Sequence, residues 1–374
     1  MKINLFVKYL DDKTGGEKIA YYFAEYLYKQ KVPFTVYCGK IKTSNVPIFT
    51  ENVKELGLVG LNRFTKYFSF HRKCDKIVKN SGDISFAFDR IVGCDIYRNG
   101  SGLHTDYLKT SIEHYPTSQK LLKKFKRTLA PINYYLKKVE DKLYESKKLG
   151  YVIVNSELIK TTLTNKFPFL EEKIEVVHNG IDKDKFNFDI TLNKRNELKK
   201  QYKLYDSFVI GHASNNFERK GLRFIIQALA KLPEKFILVV AGSGSTGYYK
   251  ELSKKCGVSD RVFFLGKIDD MTEFYPMLDL FCLPALYDPF PNVVPESLGM
   301  GIPVLCSKHI GSFEIIKNNK NGMVLNTISA EEIAISVKDC SKIRVQNFSQ
   351  NVPGLNDMYD EYLKIIEKVS EDKR

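Results

Sequence analysis

The sequence predicts an α/β protein of two domains, each built on a doubly wound parallel sheet. Three observations carry that expectation. Short apolar runs of strand length alternate with helix-period segments, the pattern of a parallel sheet covered on both faces. The alternation lapses after residue 182 and restarts at Phe208. A chain of 374 residues is also longer than one hydrophobic core ordinarily serves.

In the first domain, Lys2–Val7, Pro33–Cys38, Ile84–Asp89, Tyr151–Ser156 and Ile174–His178 read as buried strands. Helix-period sequence separates several of them, notably Glu17–Gln30, with Ile19, Ala20, Phe23, Ala24 and Leu27 on one face. His178-Asn179-Gly180-Ile181-Asp182 ends a strand in turn residues, and polar, poorly patterned sequence follows to about Asp206. The expected domains are therefore 1–182 and 183–354.

The second series opens with strand Phe208–Ser214, then helix Leu222–Lys231, strand Phe236–Gly242, helix Tyr248–Cys256 and strand Val262–Gly266. Helix Met271–Leu278, strand Leu280–Leu286, strand Ile302–Cys306 and strand Gly322–Leu325 complete it. A last helix, about Leu355–Val369, has a mixed charged face. Short repeats and low-complexity tracts are absent from the sequence.

Composition narrows the class. The chain is 43% hydrophobic and 27% charged, which is ordinary for a globular protein. Its seven cysteines show no Cys-x-x-Cys pairing, so neither a zinc site nor a disulfide framework is expected, and free thiols suit the cytosol. Met1–Val7 leads straight into a strand, so no signal peptide is expected, and no apolar run reaches the ~20 residues that span a bilayer. The formal net charge of +14 calls for an anionic partner. From Lys109 to Lys148 eleven Lys/Arg face four Asp/Glu, so half of the excess lies there.

Residues 284–306 hold the most informative chemistry. Asp288 and Glu296 stand eight positions apart across a Pro/Asn loop, one after a strand and one on the following helix. Carboxylates so placed can face one cleft and accept hydrogen bonds from the hydroxyls of a sugar and of a ribose. Taken alone, the pair would read as a helix-capping Asp and a solvated Glu. Phe217-Glu218-Arg219-Lys220-Gly221 also lies between a strand and a helix. There Arg219 and Lys220 can neutralise a pyrophosphate, Arg through paired hydrogen bonds and Lys as a point charge. Cations at a helix start oppose its dipole unless an anion is present. Gly15-Gly16 opens the first helix, where backbone N–H groups can receive phosphate, although such a pair is often only a turn.

These motifs resemble glycosyltransferase family 4, retaining nucleotide-sugar transferases of the GT-B fold, in which two Rossmann-like domains face an interdomain cleft. The likeness is specific at 15–16, 98–104, 217–221 and 284–306. The Asp-Pro-Phe-Pro-Asn form and the Phe-Glu-Arg-Lys-Gly-Leu wording resemble the branch of bacterial lipopolysaccharide-core glucosyltransferases. Where most of the family has Glu, this chain has Asp288. Where most have Gly three residues later, it has Pro291, which offers no N–H. His178–Asp182 resembles the family's interdomain signature, and the family's C-terminal helix implies that 355–374 returns to the first domain.

The resemblance implies that Arg219 and Lys220 hold the diphosphate beside Gly15 and Gly16. It implies Glu296 on the ribose, Asp288 on the donor sugar, and Phe290, Asn292 and Val293 lining the donor site. Lys267 and Ile268, in Gly266-Lys267-Ile268-Asp269, match the loop beside the nucleobase. Asn215 and Asn216 either line the same cleft or serve as turn residues. Gly242-Ser243-Gly244 lacks a third fingerprint glycine and reads as a turn. Arg98-Asn99-Gly100-Ser101-Gly102-Leu103-His104 resembles the branch's acceptor-side loop, with His104 contacting the donor sugar or orienting the acceptor hydroxyl. A lone His is more often structural. Asp89 and Asp95 are weaker candidates. His178, His212 and His309 lack metal-ligand spacing, no Asp-x-Asp motif accompanies the site, and neither metal nor other cofactor is expected.

The basic segment has three readings. Leu121, Leu122, Phe125, Leu129, Tyr134, Tyr135, Leu136, Val139 and Leu143 alternate with lysines, and Pro131 should divide them into two helices. Such helices suit an anionic membrane surface, contacted through about 109–148. The alternatives are ordinary amphipathic helices with solvated lysines, or nucleic acid, for which no recognised module is present. The expected protein is a hexosyltransferase, cytoplasmic and peripheral at the inner face of the cell membrane. It would use a nucleoside-diphosphate sugar, expected to be a UDP-hexose, with a lipopolysaccharide-core or related glycolipid acceptor. Its rivals are a sugar-nucleotide epimerase on the same fold and a non-catalytic membrane or nucleic-acid binding protein.

Overall fold

The computed structural model describes residues 2–13, 15–43, 46–113 (110–113 as backbone), 125–127 and 130–373. Two compact units divide them: unit 1 is Met1–Val177 with Asn356–Arg374, and unit 2 is His178–Leu355. The chain thus changes unit at Val177/His178, five residues before the sequence boundary at 182, because His178 begins the hydrogen bonding of unit 2.

Among its described residues unit 1 carries seven parallel strands in the order β3-β2-β1-β4-β5-β6-β7. They are β1 (Ile3–Leu10), β2 (Phe34–Ile41), β3 (Val53–Glu55), β4 (Ile84–Ala87), β5 (Ile96–Asn99), β6 (Tyr151–Val154) and β7 (Ile174–Val176). β1 is central: Ile3 pairs with Phe34 on one side and with Ile84 on the other. Its apolar run is nearly continuous because helices cover both faces of the sheet. Helix α1 (Gly15–Lys29) buries Ile19, Ala20, Phe23, Ala24 and Leu27, the stripe expected from its period. Further helices described in this unit include α2 (Arg63–Asn80), α3 (His104–Glu113), α4 (Pro131–Tyr144) and α5 (Glu157–Lys166).

Unit 2 carries six parallel strands in the order β10-β9-β8-β11-β12-β13. They are β8 (Phe208–Ala213), β9 (Phe236–Ala241), β10 (Val262–Gly266), β11 (Leu280–Leu283), β12 (Val304–Ser307) and β13 (Gly322–Leu325). Alternate residues enter two separate cores: Ile210, Leu238, Leu280 and Leu305 on one face, Val209, Val239, Phe281 and Val304 on the other. Its helices are α6 (Phe188–Gln201), α7 (Leu222–Leu229), α8 (Gly247–Lys255), α9 (Val293–Gly299) and α10 (Ala330–Cys340). A last helix, α11 (Leu355–Asp372), belongs to unit 1 from Asn356 onward. There Tyr359 and Tyr362 both set their rings 5.4 Å from Phe23.

The structure corrects several expectations. Met271–Leu278 is two 3-10 turns, Met271–Glu273 and Tyr275–Met277, because Pro276 withholds the N–H that a continuous helix needs. Phe188–Gln201, read as linker, is helix α6. Its stripe buries only Thr191, Leu198 and Lys199, and polar contacts dock it: Arg195 and Lys199 both pair with Asp279. Arg98 and Asn99, read as loop, close β5.

Among the basic segment's predicted anchors, Leu136, Val139 and Leu143 are buried within unit 1 and are not lipid-facing. They supply the inward stripe of α4, while Tyr134, Lys137 and Lys138 face outward. Pro131 stands at the first position of α4. Leu121, Leu122, Lys123, Lys124 and Leu129 lie outside the described residues; of the expected helix before Pro131, residues 125–127 are described and are helical, with Phe125 exposed.

Candidate active site

In a doubly wound sheet, ligands gather at the carboxyl ends of the strands where the order reverses, since the flanking loops diverge there. In unit 2 that point lies between β8 and β11, which pair Leu280 with Ile210. The loop after β8 carries Arg219 and Lys220, and the loop after β11 carries Asp288. The predicted cations and the first predicted acid therefore meet because of topology.

The two loops are tied together by their backbones. Leu286 N–H donates to the Arg219 carbonyl at 2.9 Å. Gly221 has φ +78°, and a Cβ there would stand 2.1 Å from the Pro284 carbonyl oxygen, so only glycine lets the loops approach so closely. Asn216 Oδ1 accepts from Arg219 N–H at 3.0 Å and shapes the turn that aims both cations. Asn215 Oδ1 accepts from Ser243, which ties in the Gly242–Gly244 turn.

Lys220 Nζ lies 2.6 Å from Asp288 Oδ2, and Arg219 Nη1 lies 3.0 Å from the same oxygen. Arg219 Nη1 also donates to the Tyr287 carbonyl at 2.8 Å, and Asp288 Oδ1 accepts from Phe290 N–H at 3.2 Å. Burial works against ionisation of Asp288, but Lys220 and Arg219 outweigh it and hold the carboxyl below its ordinary range. Burial also lowers Lys220, with Asp288 opposing that effect. Two cations against one carboxylate leave a local excess of positive charge, which is the electrostatics a diphosphate needs.

Glu296 lies on the short helix α9. The hydroxyl of Tyr275, a fully buried side chain, donates to Glu296 Oε2 at 2.9 Å, with the Val293 carbonyl at 3.3 Å. Burial first, and then Glu296, keep the phenol well above its usual range, so Tyr275 remains a donor. Asn292 Oδ1 accepts from Asn179 Nδ2 at 2.9 Å. His178 stacks on Phe290 with ring centres 5.4 Å apart and reaches Glu314 at 2.9 Å. Ile268 packs on the sheet's core, whereas Lys267 is exposed and pairs with Asp269. His212 is wholly buried against the Cys282 carbonyl, a packing role.

In unit 1 the order reverses between β1 and β4. Gly15 and Gly16 follow β1 there, and Asp89 follows β4. A Cβ on Gly16 would come no closer than 3.6 Å to Arg98 Nη1, so this position tolerates a side chain sterically. Asp89 Oδ2 accepts from Lys8 N–H, and burial raises the carboxyl despite Lys8. Asp95 is structural: it accepts from Ser85 and pairs with Lys373.

His104 begins α3. Both oxygens of Glu140, a fully buried residue, accept from the His104 backbone N–H, at 3.0 and 3.2 Å. Arg90 Nε compensates that carboxylate at 3.0 Å. The imidazole Nε2 lies 3.1 Å from Asn133 Oδ1. Burial, then Arg90, lower the His104 pKa to about 4, so the ring is neutral at neutral pH.

No local pattern marks Tyr275, Glu140 or Asn133 as candidate site residues. Tyr275 lay in an expected apolar helix, and Glu140 and Asn133 lay in a segment read for its charge. Their partners are 21, 36 and 29 residues away, distances that no local pattern encodes.

Residues 13–185 match the model for Glycosyltransferase Family 4, and residues 194–352 match that for Glycosyl transferases group 1. The two domain matches and the fold together define a GT-B glycosyltransferase. The chain belongs to glycosyltransferase family 4.

An uncharacterized glycosyltransferase of Methanocaldococcus jannaschii is 30% identical over 192 residues, 50% of this chain and 49% of that protein. The lipopolysaccharide core biosynthesis glycosyltransferase LpsE of Rhizobium meliloti is 29% identical over 133 residues, 36% of this chain and 39% of that protein. The chain thus matches half or less of the length of these relatives. Among solved structures, WaaG, a glycosyltransferase involved in lipopolysaccharide biosynthesis, aligns with a TM-score of 0.77 at 17% identity, covering 97% of this chain and 99% of that one. Anabaena HepE in complex with UDP and glucose aligns with a TM-score of 0.69 at 19% identity, covering 98% and 100%. At such identities the likeness is one of fold.

Proposed function

We propose that the protein is a retaining hexosyltransferase that takes its sugar from a nucleoside diphosphate, a UDP-hexose by preference. The observation that carries this reading is the convergence of Arg219, Lys220 and Asp288 at the sheet reversal of unit 2, with Glu296 oriented nearby by Tyr275. Arg219 and Lys220 would hold the diphosphate, Glu296 the ribose hydroxyls and Asp288 the donor sugar. In the transfer, the bond from the anomeric carbon to phosphate breaks as the bond to the acceptor oxygen forms on the same face. The acceptor proton passes to the departing phosphate oxygen. Charge growing on that phosphate is met by the two fixed cations, so no metal is required.

The acceptor proposed is a lipopolysaccharide-core or related glycolipid at the cytoplasmic face of a membrane. Support comes from the naming of LpsE and WaaG for lipopolysaccharide synthesis and from the outward Tyr134, Lys137 and Lys138 of α4. Among the described residues no helix is long and apolar enough to cross a membrane, so contact would be peripheral. Sedimentation with phosphatidylglycerol vesicles, but not with phosphatidylcholine vesicles, is expected; equal sedimentation with both would remove this part of the reading.

Nucleotide release from UDP-, GDP- and ADP-sugars, with and without truncated lipopolysaccharide, tests the reaction. UDP release that depends on acceptor, with the anomeric configuration kept in the product, is the expected result. An epimerised sugar nucleotide without release would identify an epimerase instead.

A further inference from the structure

His104 is held by more than its backbone. Asn133 stands at the third position of α4, whose start is fixed by Pro131, and its side chain bridges two partners. Its Nδ2 donates to the Arg127 carbonyl at 2.8 Å, and its Oδ1 lies 3.1 Å from His104 Nε2. A carbonyl oxygen can only accept, so the amide atom facing Arg127 must be the NH2 group. That leaves Oδ1, a pure acceptor, toward His104. The Nε2 atom must therefore carry the proton, and Nδ1 must carry the lone pair. Among the described residues Nδ1 has no hydrogen-bond partner.

We propose that Asn133 is a positioning residue that fixes His104 as the Nε2–H tautomer, so that Nδ1 accepts a hydrogen bond from a hydroxyl of the bound carbohydrate. This rests on the glycosyltransferase reading for its second half alone. The backbone carbonyl of Arg127 makes the choice of tautomer independent of any ligand. A freely turning imidazole would divide its neutral form between two tautomers, and only one could accept at Nδ1. The groups around the ring agree with a neutral acceptor. Arg90 and Arg63 disfavour its protonation, the Glu140 carboxylate is taken up by Arg90 and the His104 backbone N–H, and Tyr107 lies beside the ring at 6.3 Å.

The test is a long-range proton–nitrogen correlation spectrum of the full chain with histidines labelled in nitrogen, read beside steady-state kinetics. His104→Gln assigns the resonance. At neutral pH the wild-type ring is expected to show a proton-bearing Nε2 and a pyridine-like Nδ1. In Asn133→Ala the two nitrogens should average, with kcat/KM down about tenfold, the worth of one hydrogen bond. Asn133→Asp should charge the ring and add a limb to the pH–rate profile that the wild type lacks, and Asn133→Gln should restore part of the tautomer preference.

A protonated Nδ1 in the wild type would overturn the assignment, as would ring signals unchanged in Asn133→Ala. If the tautomer is lost in Asn133→Ala while turnover stays at the wild-type level, the hydroxyl contact is refuted. The transferase reading would stand in that case, because sugar-nucleotide turnover and its loss in Glu296→Ala test it separately.

Discussion

Lys220 Nζ and Asp288 Oδ2 are 2.6 Å apart, and the two residues come from loops that follow different strands of one sheet. This pair joins the cation motif to the acid motif, and it is nearly removed from solvent. Replacing one partner strands the other charge, which costs about 3–5 kcal/mol when a buried pair is broken. Asp288→Asn should show that loss, and the loss should depend on pH. The folded Asp288 carboxyl sits below its ordinary value, so its contribution is fully present above about pH 4, the unfolded range, and fades as pH falls through the folded value. Urea midpoints of wild type and Asp288→Asn should differ clearly at pH 6 and converge toward pH 3. A constant gap would show that the carboxylate's charge is not what stabilises the loop.

Tyr275 offers a subtler test, since removing its hydroxyl leaves the apolar core packing in place. Tyr275→Phe should weaken UDP binding about tenfold through the lost orientation of Glu296. If Glu296 holds ribose hydroxyls, binding of a dideoxyribose analogue should be the same in the variant and the wild type. Equal losses for both nucleotides would place the effect elsewhere.

Two glycines should behave differently. Gly221→Ala must force a Cβ against the Pro284 carbonyl at positive φ, so a destabilisation of about 1–3 kcal/mol is expected, with the cations displaced. Gly16→Ala meets nothing closer than 3.6 Å, so stability should stay within about 0.5 kcal/mol while donor turnover falls. Calorimetric melting beside steady-state kinetics separates the two. Wild-type turnover in Gly16→Ala would exclude this loop from the diphosphate.

The fold was legible because parallel strands buried on both faces appear as runs such as Ile3–Val7 and Phe236–Val240, and because the motifs sit just after them. Helix α6 was missed because its docking depends on Arg195, Lys199 and Asp279 rather than on an apolar stripe. The acids and cations of unit 2 were visible as residue types, but their pairing follows from the strand order, which pairs β8 with β11. Tyr275 and Asn133 were invisible as site residues for a related reason: each acts through a partner on another element. The buried Leu136, Val139 and Leu143 show the opposite hazard, since an amphipathic stripe does not reveal whether it meets lipid or the protein's own core.

His104 gives a pH signature in stability. Its folded pKa of about 4 lies below the usual ~6.5, so the unfolded chain binds more protons between those values. Stability should rise with pH across that window, and His104→Gln should remove that part of the slope. Urea titrations at pH 4.5, 5.5 and 6.5 check this. An unchanged slope would show that the ring is not desolvated as the structure has it.

The most direct measurement is a calorimetric titration of UDP and of UMP into the wild-type chain and into Lys220→Met. If Arg219 and Lys220 hold the diphosphate as proposed, UDP should bind the wild type at least about tenfold more tightly than UMP, and the variant should lose most of that difference while keeping UMP affinity. Equal affinities for UDP and UMP in the wild type, or no binding of either by the folded protein, would contradict the assignment of unit 2 as a UDP-sugar donor site.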